Sequence, residues 1–306
     1  MKRFILILLV ISSTTAGAQN WRFFRHEFSF GIGASNFLGE VGGRDQEGVN
    51  DIRDLEFRMT RPTFQGAYAF MFNPYLKGRV NLLFGWLSGD DATTNERFRQ
   101  NRNLHFRTIL PEASLIFEFY PFRERFTRFY QMRAAKGNAG SYFSPYLFAG
   151  ISGFYFNPKA QDPNSGDWVA LQPLGTEGQG LPGGPEQYSR LAISIPMGIG
   201  LKYAINKQWS IGLEVSGRLA FTDYIDDVSG EYYDNAAIEA ANGVQAAYFA
   251  DPNLGLIPTF TDGAYVYDPT RAGMQRGDPS DNDSYMFAIF SVHYRLLKGR
   301  FNMPKF

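Results

Sequence analysis

The sequence predicts an all-β chain, an eight-stranded antiparallel transmembrane β-barrel with long extracellular loops. Three observations carry this. Eight stretches alternate apolar and polar residues for 12 or more positions, and only the first residues after the start are apolar throughout. The connections between stretches alternate between short and long. Aromatic content is 16%, with 29 Phe and 17 Tyr, the residue types that form girdles at both interfaces of a membrane barrel. Side chains alternate across a strand, so one face of each stretch meets lipid and the other a polar interior. Mean hydropathy is negative, but a barrel dilutes its lipid face with as many interior residues, so this does not exclude it. A secreted β-sandwich is the alternative, and its strands would average only about 5 to 6 residues.

The N-terminus supplies the compartment. Lys2 and Arg3 precede an apolar run from Phe4 to Ile11, and small residues lead to Ala16, Gly17 and Ala18. This reads as a signal peptide over residues 1–18 with cleavage before Gln19, leaving 19–306 as an outer-membrane β-barrel domain. The run is shorter than the roughly 20 residues a spanning helix needs. The chain has no Cys, so neither a lipid anchor, a disulfide nor a thiolate metal site is available.

The first strand is expected over about Phe24–Asn36, with Phe24, Phe28, Phe30, Ile32 and Ala34 outward and Arg25, Glu27, Ser29, Gly31 and Gly33 inward. The second, Arg61–Phe72, turns at Asn73 and Pro74 into the third, which ends near Ser88 and points Lys77, Arg79 and Asn81 inward. In the fourth, Asn103–Phe119, the apolar phase shifts from Leu104 and Phe106 to Ile109, Ala113, Leu115, Phe117 and Phe119, which predicts a bulge between Phe106 and Pro111. The fifth, Tyr142–Phe156, is aromatic on both faces. The sixth, Tyr188–Ala204, turns at Asn206 and Lys207 into the seventh. There Trp209, Ile211, Leu213, Val215, Leu219 and Phe221 face out, and Ser210, Glu214, Ser216, Arg218 and Thr222 face in. The eighth, Ser284–Leu296, closes an even-numbered barrel. Asn235–Asn242 reads as a short helix in the longest loop, and the Gly-rich stretch Gly175–Gly184 as a loop without the strand-to-helix context of a phosphate site.

Connections after strands two and six are two or three residues long, and those after one, three, five and seven run from about 14 to 61. Short turns belong in the periplasm and long loops outside, with both termini periplasmic. The exception follows strand four, where about 22 residues, Tyr120–Ser141, stand where a turn is expected.

Charge is zero overall but divided. Residues 223–283 carry a net charge of −10, while the segment after strand four carries Arg123, Arg125, Arg128, Arg133 and Lys136 against Glu124. The tail adds Lys298, Arg300 and Lys305. Basic residues interleaved with Phe122, Phe126, Phe129, Tyr130 and Met132 have the composition of a protein interface. The alternative is a turn whose aromatics anchor in the membrane interface and whose arginines meet lipid phosphates. Arg123, Arg125, Phe126, Arg128, Phe129 and Arg133 are therefore the candidate partner-binding residues.

Eight strands leave an interior just wide enough for side chains to fill. Lys77, Arg79, Glu112, Glu118, Arg190, Lys202, Glu214, Arg218 and Arg295 are expected to point into it and pair as a closed network. A conducting pore is the sharper alternative. Catalysis would need a nucleophile beside a His and a carboxylate. Only His26, His105 and His293 exist, no G-x-S-x-G is present, and no serine shows an evident base, so no enzyme is expected. Asp90 and Asp91, Asp223, Asp226 and Asp227, and Asp278, Asp281 and Asp283 flank the outer rim without the spacing of a calcium loop. They read as solvated loop charge, with divalent ions shared with lipopolysaccharide as the alternative. No metal, no cofactor and no nucleic-acid partner is expected.

Several segments together resemble one family: GASNFLGEVGG from Gly33, RPTFQGAYAFMFNP from Arg61, SGDD from Ser88, RNLHFR from Arg102, PYLFAGISGFYFNPKA from Pro145, LQPLGTEGQG from Leu171 and FTDYIDDVSGEYYD from Phe221. They resemble the PorG family, outer-membrane barrels of the type IX secretion system, over nearly the whole mature chain. The resemblance implies a structural, non-enzymatic role in association with the periplasmic ring formed by a lipoprotein and its partner subunit; as a membrane barrel the chain is also expected to contact outer-membrane lipid and lipopolysaccharide. It carries no catalytic residues over. One departure is that Phe306 lies about 10 residues beyond the eighth strand instead of ending it.

Overall fold

The computed structural model describes residues 24–41, 57–94, 96–122, 143–206, 208–257 and 268–296. Eight long strands carry the fold: β1 (His26–Leu38), β2 (Arg61–Asn73), β3 (Leu76–Asp90), β4 (His105–Phe119), β5 (Phe143–Tyr155), β8 (Leu191–Ala204), β9 (Trp209–Ala220) and β10 (Ser284–Leu296). Two short strands between β5 and β8, β6 (Lys159–Gln161) and β7 (Trp168–Ala170), form a hairpin that the sequence reading did not anticipate. Each long strand pairs antiparallel with its neighbours in the order β3-β2-β1-β10-β9-β8-β5-β4, and β3 pairs with β4, so the sheet closes on itself. Closure pairs each long strand on both sides, so none of the eight is a free edge strand, which lipid would not tolerate; β4 pairs with β5 from Glu112 to Phe119. The β6–β7 hairpin hangs from β4 through Arg107 opposite Lys159.

Strand ends differ from the sequence expectation by a few residues, because register fixes them. β1 begins at His26, which faces Leu296 on one side and Phe70 on the other. Phe24 consequently falls before the strand, and it is buried instead of facing lipid. The outward phase of the remaining strands follows the alternation, leaving Phe30, Ile32, Leu82, Ile199 and Leu213 exposed as a lipid-facing band. Aromatics gather toward the short-turn end of that face, where Trp209 packs on Tyr294 and Phe143 on Tyr203.

The expected bulge in the fourth strand does not exist. β4 runs in unbroken register with β3 from Phe119 to His105, and Leu104 and Phe106 are buried inside the barrel. The apolar phase there changes because the lumen itself changes. From β10 the inward residues are Tyr285, Phe287 and Ile289 toward the long-loop end, then Ser291, His293 and Arg295 toward the short-turn end. The long-loop half is an apolar core of Phe37, Leu83, Phe106, Leu110, Phe154 and Phe287, onto which loop residues Ile225 and Val228 fold. The same stratification settles β5. Phe143, Leu147 and Ile151 face out, and Tyr146, Phe148 and Phe154 fill the interior.

Among the described residues, helices lie in the loops. α1 (Arg97–Arg102) follows β3, and α2 (Asn235–Asn242) and α3 (Val244–Ala250) lie between β9 and β10. The range of α2 is the one its sequence predicts, capped by Asp234, which accepts from the Ala236 N–H.

Candidate functional site

Eight of the nine charged residues expected in the lumen come together there. Glu27 is the hub of the lower tier. Its carboxylate holds Lys77 Nζ at 3.0 Å, Lys202 Nζ at 2.7 Å and Arg295 Nε at 3.0 Å, and hydrogen-bonds His293 Nδ1 at 2.9 Å. In the next tier Arg79 grips Glu214 through both terminal nitrogens and lies 3.2 Å from Glu118. Tyr146 donates to Glu214 at 2.5 Å and Tyr120 to Glu118 at 2.7 Å, while Lys202 also approaches Glu118 at 3.6 Å. Above them Arg218 pairs with Glu112 at 3.4 Å and lies 4.5 Å from the Phe287 ring centre. Tyr285 donates to the same Glu112 at 3.1 Å. Every one of these side chains is buried. Arg190 departs from the expectation. It precedes β8 and donates to Gln172 Oε1 at 2.7 Å, outside the luminal network.

The alternation places the ions, and the closed sheet pairs them. Such pairs survive burial because each charge meets several partners of opposite sign or hydrogen-bonding capacity. Removing one partner would leave the others as uncompensated charges. Together with the apolar tier, the network occupies the lumen.

One constellation escaped the sequence reading. Ser291 Oγ lies 2.8 Å from His293 Nε2, and Nδ1 of the same imidazole meets Glu27. A serine therefore does have a base, and the base an orienting carboxylate, in the order of an acyl-transfer triad. The signal was present, since Ser291 and His293 share the inward phase and closure of β1 against β10 puts Glu27 opposite Arg295. Chemistry requires more than this order. All three side chains are buried under Lys77, Lys202 and Arg295, and a Cβ at Gly212 would already touch both Ser291 and His293. A substrate carbonyl could reach Ser291 only by dismantling the ion network, and the Glu27 carboxylate is committed to three cations.

The long-loop end is sealed by a second buried system. Asp223, Asp226, Asp227 and Asp283, expected as solvated charge, are buried, as is Asp91. The reason is local, because the carboxylates serve as loop staples. Asp226 accepts from the N–H groups of Val41 and Val228, each at 3.1 Å, and Asp283 from that of Ile225 at 2.8 Å. Asp227 accepts from Thr176 and Tyr188, and Asp91 from Arg102 at 2.8 Å. The Gly-rich loop folds onto this cap. Glu177 accepts from the Ser229 N–H at 2.9 Å and from Arg276 at 3.0 Å, and Gly178 takes φ of +74° where its Cβ position would strike Tyr233. Only Asp278 and Asp281 of the acidic set are fully solvated.

Electrostatics in the cap follow from that crowding. Burial, reinforced by Glu40 and Asp226, raises the Asp223 carboxyl to about 9. Burial likewise lifts Glu40 to about 7 and Asp227 to about 6, and holds Asp226 and Asp283 well above the usual carboxylate range. Arg276 suffers the same desolvation, but Glu177 and Asp227 outweigh it and raise its pKa. Among the described residues no three carboxylate or histidine side chains converge as metal ligands.

The candidate partner-binding residues Arg123, Arg125, Phe126, Arg128, Phe129 and Arg133 lie outside the described residues, as do the signal-peptide segment and the basic tail.

A closed eight-stranded sheet, apolar outside and ion-paired within, defines a small integral β-barrel of the outer membrane. A family model described as outer membrane protein beta-barrel domain matches residues 4–264, and the chain belongs to that family. Solved structures to which the chain is similar include the N-terminal β-barrel domain of Pseudomonas aeruginosa OprF, at 8% identity over 89% of this chain and 98% of that one, with a TM-score of 0.33. Neisserial surface protein A matches at 9% identity over 88% and 96% of the two chains, with a TM-score of 0.35. The outer membrane enzyme PagL matches at 13% identity over 87% and 97%, with a TM-score of 0.28. No curated protein sequence matches.

Proposed function

We propose that this barrel is a non-enzymatic component of the type IX protein secretion system that anchors or positions the periplasmic ring at the outer membrane. The observation that carries this reading is the filled lumen. A barrel locked by Glu27, Arg79 and Glu214 and roofed by stapled loops supplies membrane attachment and surface, without a conduit or an accessible nucleophile. The resemblance of the loop segments to PorG-like proteins supports the choice of system. The basic, aromatic segment around Arg123–Arg133, at the end where other connections are short turns, supplies a surface for the ring lipoprotein and its partner subunit. In this reading the short turns and both termini face the periplasm, and the acidic long loops face outward.

The test is reversal of Arg123, Arg125, Arg128 and Arg133 to Glu, followed by purification from outer membranes in mild detergent and mass spectrometry of what accompanies the barrel. Ring subunits stoichiometric with the wild type and lost from the folded variant are expected. Unchanged secretion and ring association by a well-inserted variant would overturn the reading.

A further inference from the structure

Four strands build a notch in the lipid-facing wall. Leu82, Ala113, Gly153 and Ile193 form one row across β3, β4, β5 and β8, each opposite the next. The outer members are large and exposed, the inner two are small, and nothing lies within 4 Å of the position a Cβ on Gly153 would occupy. The result is an apolar cavity of about 580 Å³ bounded by Leu82, Pro111, Ala113, Leu191 and Ile193. It continues toward the short-turn end as a second hollow of about 410 Å³ beside Val80, Leu115 and Ile151.

Directly along β4 from this notch, toward the long-loop end, the lipid-facing phase turns basic. Arg107 is exposed and faces Lys159 across the β4–β6 pair, and its guanidinium carbon sits 3.4 Å from the ring centre of Trp168. Neither cation has a carboxylate partner among the described residues. The hairpin that brings Lys159 and Trp168 is fixed in place. The Asn157 N–H donates to Thr108 Oγ1 at 2.7 Å, and the Gln161 N–H to His105 Nε2 at 2.9 Å. The hairpin joins β4 there because the β4–β5 ladder ends at Glu112 opposite Phe154, beside Pro111, which has no N–H to continue it.

The spacing selects the ligand. Arg107 is six residues from Ala113, about 20 Å along a strand and about 15 Å along the membrane normal at barrel tilt. That is half of a hydrocarbon core of about 30 Å, the depth of one leaflet. A phosphate held by Arg107 and Lys159 therefore hangs an acyl chain whose end reaches the notch. We propose that this wall binds a phosphorylated, acylated glycolipid of the leaflet at the long-loop end, which is lipopolysaccharide if the orientation in the preceding section holds. Arg107 and Lys159 clamp a lipid A phosphate, Trp168 supports the guanidinium at headgroup depth, and the row of Ala113 and Gly153 seats one chain.

The test uses the full-length barrel purified in detergent and stripped of lipid, titrated with purified lipopolysaccharide and, separately, with phosphatidylglycerol. The variants are Arg107→Glu with Lys159→Glu, and Gly153→Leu, which fills open space on the lipid face without touching the lumen. Retention of the heat-modifiable gel shift establishes that each is folded. The wild type is expected to prefer lipopolysaccharide, and each variant to lose at least about tenfold in its affinity. Folded variants that bind as tightly as the wild type, or equal affinity for the two lipids, would overturn the proposal. Labelling of Glu186→Cys on intact cells reads orientation independently, so a barrel inserted the other way would refute the topology while leaving the binding result to judge the site.

Discussion

Lys202 Nζ donates to Glu27 Oε1 across 2.7 Å of lumen, joining residues 175 positions apart on β8 and β1, strands that are not neighbours in the sheet. The contact spans the barrel and does not run along its wall. Lys77 reaches the same carboxylate from β3, on the other side of β1. One anion thereby ties walls that the backbone ladder connects only at a distance.

Replacing Glu27 with Gln leaves Lys77, Lys202 and Arg295 buried without their shared anion. The expected loss is about 3–5 kcal/mol, the range for breaking a buried ion pair. Urea unfolding of the barrel in detergent, followed by tryptophan fluorescence, measures it. A loss below about 1 kcal/mol would mean that water enters the lumen freely, since solvated pairs are worth no more than that.

The lumen is expected to be electrically silent. Arg79, Glu118 and Glu214 close the middle tier, and the Phe106 to Phe287 core closes the tier above. Purified barrel in planar bilayers should show no steady unit conductance. A stable conductance that changes with Arg79→Ala would place an open path through the network.

Ser291→Ala should leave any background ester hydrolysis of the purified protein unchanged, because the hydroxyl is sealed beneath the Glu27 network. Its measurable effect is on stability alone, through the lost bond to His293, at about 1 kcal/mol. Turnover of a lipid ester by the wild type that disappears in Ser291→Ala would show that the lumen opens to substrate.

The cap should loosen as pH rises. Asp223 and Glu40 titrate at about 9 and about 7 in the folded cap, above their unfolded values of about 3.9 and 4.3. A carboxyl raised on folding stabilises fully below its unfolded pKa, and that contribution disappears as pH climbs through the folded one. Ionisation of Asp223 would add charge beside Glu40, Asp226, Glu177 and Asp283, with Arg102 and Arg276 already committed to other carboxylates. Hydrogen exchange of residues 221–230, corrected for intrinsic rate, should show protection falling between pH 5 and pH 9 on this account. Asp223→Asn should flatten the response. Protection that rises with pH would refute it.

The wall of this barrel was legible in its sequence because lipid enforces alternation residue by residue, as in β9 from Trp209 to Ala220. The lumen was legible only in part. Lys77, Arg79 and Glu214 declare themselves by charge on the inward phase, but Leu83, Leu110, Phe287 and Ile289 occupy the same phase, and alternation alone reads an apolar residue as lipid-facing. Alternation alone therefore turns Phe106 outward and demands a bulge that the unbroken register of β3 and β4 lacks. The cap was illegible for a different reason. Asp226 and Asp283 staple loops through backbone N–H groups contributed by segments far apart in the chain, and no local pattern distinguishes such a carboxylate from a solvated one.

Closure of β1 against β10 has a consequence for assembly. Glu27 meets Arg295 across 268 residues of chain, so the seam is among the longest-range contacts the chain makes, and contacts of that span form late. Until β10 arrives, the Glu27 hub lacks two of its partners and two strand edges stand open to lipid. Without β10, β1 and β9 would each face lipid with an unpaired edge, so the strand that brings Arg295 and His293 to Glu27 also decides whether the other seven are tolerated in the membrane.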